Sequence, residues 1–564
     1  MSQARPSTPA GMIRKLREIF IEPYAETYLP KVVTVLREGY GRAELRADAL
    51  AGLTVAIVAL PLSMAIAIAS GVGPERGLYT AIVGGFLVSA LGGSRHQIGG
   101  PAGAFIVLVS ACVLQIGLAG LILATFLSGF LLIAMGTLKL GSYIRFIPYP
   151  VTVGFTAGIA VIILASQLRD IFGLSLAAEP AEFIGRLEAL WAARATVTPA
   201  AVAVAAGTVA VILGLKRFLP RWPGMLVAVV LAALVAALAG LPVETIGSTF
   251  GALPRVLPAP ALPGLSLDAV MAALPFAVSF TLLGAIESLL SAVVADGMTG
   301  RQHRSNAELI AQGWANIGSA VFGGFCVTGT IARTATNVRA GSHGPVSGML
   351  HALFLLAFML VAAPLAGFIP LAALAGVLAV VAWNMFEKEE FWSLLRASRG
   401  DALVLVVTFL LVVFRDLTEG IVVGFALGGL VFISRMSGAA EVRGGAAETE
   451  EPSSRERVVY HLHGPFFFGA AARLGTVLER LADHPRAFVL DFTHVPFIDS
   501  SGARSFELLA RKTARQGSAF YITGANLEVR RVLVGQGLRE PKVHYLPDVQ
   551  SVDEALAQAK GSSG

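Results

Sequence analysis

From Ala51 to Phe432 one pattern recurs: an apolar run, a short polar break and another apolar run. Crossing the hydrocarbon core of a bilayer as helix takes roughly 20 apolar residues, so the pattern assigns most of the chain to lipid. Composition agrees, with 55% hydrophobic and 14% charged residues among 564 and a mean hydropathy of +0.72. Backbone polar groups in lipid find partners only within helices or closed barrels, and runs this long and uniform read as helices.

About fourteen spans are expected. The first set lies at 51–73, 78–91, 97–115, 119–135, 151–166, 199–215 and 223–239. The second begins at 269–295 and continues through 310–324, a short segment from Thr328, 344–366, 371–386, 403–414 and 421–432. Positive charge marks one side of the membrane. The arm before the first span carries Arg14, Lys15, Arg17, Lys31, Arg37, Arg42 and Arg46. Alternate connections carry Arg95, then Lys139 and Arg145, then Lys216, Arg217 and Arg221, then Arg301 and Arg304. The remaining connections, near Glu75, at 179–188 and near Glu244, are mixed or acidic. The basic side is therefore expected to be cytoplasmic, with both termini there in a multi-pass protein. This asymmetry accounts for the net charge of +6, so nucleic-acid binding is not called for.

The N-terminal arm offers no apolar stretch before Leu50, and the first span is expected to act as the insertion signal. Residues 13–40 mix aromatics with both charge signs, as an interfacial helix would. Cys112 and Cys326 fall inside expected spans and read as small apolar residues, without a disulfide or zinc pattern. His96, His303, His343 and His351 are scattered over loops and span ends, where they read as interfacial residues. They have neither metal-ligand spacing nor a nucleophile triad, so an enzyme, a metal and a bound cofactor are not expected.

After Phe432 the composition changes. The expected organisation is an N-terminal arm (1–49), a membrane domain (50–435), a Gly/Ala/Glu/Ser-rich linker (436–456) and a soluble domain (457–560), with 561–564 an artificial remnant. The soluble part alternates strands at 458–462, 487–492 and 519–522 with helices at 469–482, 501–515, 527–536 and 552–559, the pattern of a small α/β sandwich.

Two interruptions carry the functional argument. Gly99-Gly-Pro-Ala-Gly-Ala-Phe105 and Gly323-Gly-Phe-Cys-Val-Thr-Gly-Thr330 each break the apolar pattern just before a new helical run, at corresponding places in the two sets of spans. Matching broken helices are the mark of inverted-repeat transporters, whose sites lie near the bilayer midplane. A helix opened by glycine and proline leaves free N–H groups, and its macrodipole adds positive potential, so two facing starts suit an anion. Glycines also permit close helix packing, the alternative for each motif taken alone. Glu287 is the only charge between Asp268 and Asp296. An ionisable group inside a span is a functional candidate by default. Low dielectric favours the protonated form of a carboxyl, which suits proton coupling; a sodium site shared with Ser291, one turn on, or an ion pair with Arg333 are the alternatives. Arg333 lies just inside the short helix from Thr328, where it either attracts substrate or neutralises Glu287.

These residues resemble the bacterial sulfate-permease (SulP) anion transporters over nearly the whole chain, through 45–54, 99–105, 146–150, 329–337 and the Asp499-Ser-Ser-Gly502 turn of a STAS domain. The resemblance implies about seven plus seven inverted spans divided into core and gate, an elevator-like displacement and a homodimer. It implies anion contacts at Ala102, Gly103, Ala104, Thr330, Ile331, Ala332 and Arg333, a first-span wall at Leu62 and Ile66, and coupling through Glu287. The implied substrates are sulfate, bicarbonate or a dicarboxylate, carried with H+ in preference to Na+ across the bacterial plasma membrane. The STAS likeness further implies a cytoplasmic protein partner and phosphorylation at Ser501; helix capping by Asp499, Ser500 and Ser501 is the simpler account of that turn. Alanine at 102 and cysteine at 326 depart from the threonine and proline of many bacterial relatives, and Leu62 replaces the glutamine of animal members, making the wall more apolar.

Overall fold

The computed structural model describes residues 27–144, 148–176, 180, 183–220, 222–415, 417–439, 441–444, 457–467, 487–515 and 517–561. Arg14, Lys15, Arg17, Arg145, Arg221, most of the 436–456 linker and the expected 469–482 helix lie outside them. The chain divides into two compact units at Phe425.

The first unit is helical. Eight helices among the described residues are long and apolar enough to cross a membrane. Each expected segment contains a helix or part of one, including shorter pieces such as Gly224–Ala239, Ser305–Val321, Ile331–Arg339 and Arg399–Phe414, although 97–115 and the segment from Thr328 open on non-helical backbone. Two expected spans, at 97–115 and 119–135, join in Ile106–Thr137, whose backbone leaves helical geometry at Gly117 with φ 71°. In lipid the driving force between helices is close packing and polar contact, not water exclusion. Accordingly, Ile106–Thr137 packs extensively on Ser305–Val321 and Leu267–Thr299, and Arg42–Ala69 packs on Val346–Ala366. Phe105 and Phe280, both fully buried with centroids 6.1 Å apart, fasten the start of one broken helix to Leu267–Thr299.

Two strands lie within this unit, β1 (Gly99–Gly100) and β2 (Thr328–Gly329), paired antiparallel. The second unit contains a five-stranded sheet in sequential order: β3 (Glu441–Gly444), β4 (Arg457–His463), β5 (Ala487–His494), β6 (Ala519–Thr523) and β7 (His544–Leu546). β3 runs antiparallel to β4; the others are parallel. Two strands go beyond the sequence reading. β3 sits inside the expected linker, because four residues among glycines and alanines carry no readable alternation, and β7 is a three-residue edge strand. Central β5 is buried over its first six positions, which explains the continuous apolar run Ala487–Leu490 at its start. Phe488 stacks on Phe520 at 5.4 Å, and Phe492 meets Phe506 of helix Ser500–Arg515 edge-on at 5.1 Å.

Candidate functional site

The glycine breaks meet across β1 and β2, with Gly99 opposite Gly329 and Gly100 opposite Thr328. Each strand is only two residues long, so the helices that follow start from the same place. On one side a 3-10 turn, Gly103–Phe105, leads into Ile106–Thr137; on the other, Ile331–Arg339 begins directly after Thr330. Neither start has a side-chain cap. The first local bonds run from Phe105 N–H to the Ala102 carbonyl (3.1 Å) and from Thr334 N–H to the Thr330 carbonyl (2.9 Å). The N–H groups of Gly103 and Ala104, and of Ile331 through Arg333, precede those bonds and form two positive ends.

Buried polar groups fix this crossing. Thr334 Oγ1 accepts from Ile98 N–H (3.1 Å) and from the Ser291 hydroxyl (3.0 Å). Asn337 Nδ2 donates to the His96 carbonyl (2.9 Å) and to Ser347 Oγ (2.8 Å). The Ser288 hydroxyl lies 2.8 Å from Thr328 Oγ1 and accepts from Gly329 N–H at 3.1 Å. Glu308, fully buried, accepts from Gly93 N–H (2.8 Å), Ser94 N–H (3.0 Å) and Gln97 Nε2 (2.9 Å). An acceptor with this many donors is a fastening for the 93–98 segment.

Both helix starts open on one cavity of about 570 Å³. All nine expected contact residues line it: Leu62, Ile66, Ala102, Gly103, Ala104, Thr330, Ile331, Ala332 and Arg333. Glu287 does too; Ser291 does not, its hydroxyl being turned onto Thr334. Ile212, Val380 and Met385 extend the apolar wall. Exposed Lys216, Arg339, Asn384 and Glu387 stand on the lining as well. The sequence reading missed this group as site residues, naming Lys216 only for its side of the membrane; a polar Asn384 in an otherwise apolar run was the available signal.

Arg333 is 2% exposed, and its Nη2 donates to Ser63 Oγ and to the Pro101 carbonyl, each at 3.2 Å. Among the described residues its Nε and Nη1 have no hydrogen-bond partner, and it makes no ion pair with Glu287. The ion pair weighed from the sequence is thus not formed. Gly100 makes room for the guanidinium, since a Cβ there would lie 2.1 Å from Nη1.

Elsewhere, Asp499 Oδ1 accepts from Gly502 N–H at 2.7 Å at the start of helix Ser500–Arg515, and Ser501 is exposed on its first turn. Cys112 and Cys326 are buried free thiols. His351 is fully buried and His96 nearly so, correcting their reading as interfacial residues: both lie under helix contacts that a single sequence does not reveal.

Comparison with known proteins gives the family. Residues 45–408 match the model of the sulfate permease family, and residues 446–551 that of the STAS domain. The chain is 39% identical to the putative sulfate transporter YvdB of Bacillus subtilis over 89% of its own length and 95% of that protein's. It is 31% identical to the bicarbonate transporter BicA of Picosynechococcus, over 87% and 90% respectively. Among solved structures, the transmembrane domain of a cyanobacterial BicA superposes with a TM-score of 0.61 at 33% identity, covering 68% of this chain and 98% of that one. The murine Slc26a9 anion transporter in its inward-facing state gives 0.81 at 19% identity, over 99% and 96%, a likeness of fold alone. A polytopic helical unit whose two broken helices begin at one cavity, followed by a STAS domain, belongs by sequence and architecture to the sulfate permease family of membrane anion transporters.

Proposed function

We propose that this chain is a secondary active symporter that carries a small anion of the sulfate, bicarbonate or dicarboxylate class together with H+. The anion lies between the N–H groups of Gly103–Ala104 and Ile331–Ala332, beside Arg333, and Leu62 and Ile66 form the facing wall. The carrying observation is that Glu287 lines the same cavity without an ion pair to Arg333. A lone carboxylate beside a bound anion repels it, and protonation removes that repulsion, so anion and proton bind together. The engagement of Ser291 with Thr334 supports H+ over Na+, because a sodium site at Glu287 needs further oxygen ligands facing it.

The cavity lining that includes Lys216, Arg339 and Glu387 belongs to the side rich in basic connections, which supports an inward-open state with both termini in the bacterial cytoplasm. Transport then proceeds by an elevator-like displacement of the crossing-strand body in a homodimer, with the STAS domain offered to a cytoplasmic partner and Ser501 to a kinase.

Uptake into proteoliposomes tests the reading. An inward proton gradient accelerates accumulation, a sodium gradient does not, and Glu287→Gln abolishes gradient-driven accumulation while anion exchange persists. Accumulation indifferent to the proton gradient makes the protein an exchanger or an uncoupled carrier.

A further inference from the structure

Hydroxyls in membrane helices usually bond back to a carbonyl one turn earlier, and in this chain Thr54, Ser70, Thr208 and Thr281 all do so. Ser63 departs from that habit. It is fully buried on Arg42–Ala69, next to cavity-lining Leu62 but not itself part of the lining. Its oxygen instead accepts from Arg333 Nη2 at 3.2 Å.

We propose that Ser63 is a positioning residue that sets the Arg333 guanidinium toward the transported anion. The inference rests on the reading of Arg333 as an anion contact. Three features hold the group: the Ser63 hydroxyl, the Pro101 carbonyl and the bare Cα of Gly100. The first two take up Nη2; the third leaves space for Nη1. Among the described residues Nε and Nη1 have no partner, although the side chain is 2% exposed. Buried donors left unpaired are costly, and an anion in the cavity offers the missing acceptor. Arginine has many rotamers, so the benefit of its charge depends on holding the fork in one of them. Removing the Ser63 oxygen leaves Nη2 a single acceptor and frees the guanidinium plane to turn.

The test uses full-length protein and whichever of radiolabelled sulfate, bicarbonate and succinate the wild type accumulates in proteoliposomes. Equilibrium binding and initial uptake are measured for Ser63→Ala, Ser63→Thr, Arg333→Gln and the double variant Ser63→Ala/Arg333→Gln. Ser63→Ala weakens binding about ten-fold, the scale of one hydrogen bond to a charged group, with maximal rate little changed. Ser63→Thr restores affinity, and the double variant binds no worse than Arg333→Gln, because Ser63 acts only through Arg333. The proposal is overturned if Ser63→Ala binds like wild type, if the two losses multiply, or if Ser63→Ala lowers melting temperature and maximal rate at unchanged affinity. Unaltered affinity in Arg333→Gln removes the anion-contact reading itself, an outcome distinct from failure of the Ser63 link.

Discussion

Gly329→Ala probes the crossing of the two short strands. An alanine Cβ at that position would lie 1.8 Å from Gln97 Nε2, 2.3 Å from Cδ and 2.9 Å from Cγ, so Gln97 has to move. It is not free to do so, being 3% exposed and donating to the buried carboxylate of Glu308 at 2.9 Å. Losing a hydrogen bond to a charged group costs about 1.5–3 kcal/mol, and overpacking adds about 1–3 kcal/mol. If β2 shifts instead, the helix start at Ile331 shifts with it, and losing even one amide contact to the anion weakens binding about ten-fold or more. The assay pairs thermal unfolding in detergent with anion affinity in proteoliposomes. Gly207→Ala is the control: nothing lies within 4 Å of its Cβ position in helix Pro199–Phe218, and alanine there is neutral or stabilising by up to about 1 kcal/mol. Gly329→Ala with wild-type unfolding and wild-type affinity refutes the argument.

Thr334→Val leaves Ile98 N–H without its acceptor and costs about 1–3 kcal/mol, read as a lower unfolding temperature, whereas Thr334→Ser keeps the bond. Lys216→Gln and Arg339→Gln slow anion uptake at low ionic strength and much less at high salt, since these exposed cations act through a screened field. In the STAS domain, burial alone would raise the Asp491 pKa, but hydrogen bonds from Thr493 and His461 outweigh it and hold the carboxyl below its ordinary 3.8. A depressed carboxyl stabilises the fold above the unfolded pKa and ceases to do so as pH falls through the folded value. Asp491→Asn therefore speeds amide exchange in Ala487–His494 at pH 7, and the difference from wild type shrinks below about pH 4.

The sequence made the paired breaks legible for a physical reason: clustered glycines, with a proline in the first cluster, interrupt the apolar pattern at matching places, and backbone that leaves the helix in lipid needs a cavity or protein to satisfy it. Glu287 stood out because an isolated charge in a span is costly. Other features depended on contacts between distant segments. Glu308, just before the span expected at 310–324, carries no functional signal in the sequence; only folding brings Gly93, Ser94 and Gln97 onto it. Ser291 and Glu287 are one turn apart, yet neighbouring Thr334 turns the serine hydroxyl away from the cavity. Similarly, the partner of Ser63 lies 270 positions along the chain. Strand β3 borrows its structure from β4 and carries almost no signal of its own.

The most direct test of the anion site is an anomalous difference map from crystals grown with a heavy-atom anion that the proteoliposomes accumulate, selenate or bromide. The account predicts a peak within hydrogen-bonding reach of backbone N–H groups in both Gly103–Ala104 and Ile331–Ala332, beside Arg333. A peak confined to Lys216 and Arg339, or none at the crossing strands while the same anion is being transported, contradicts it.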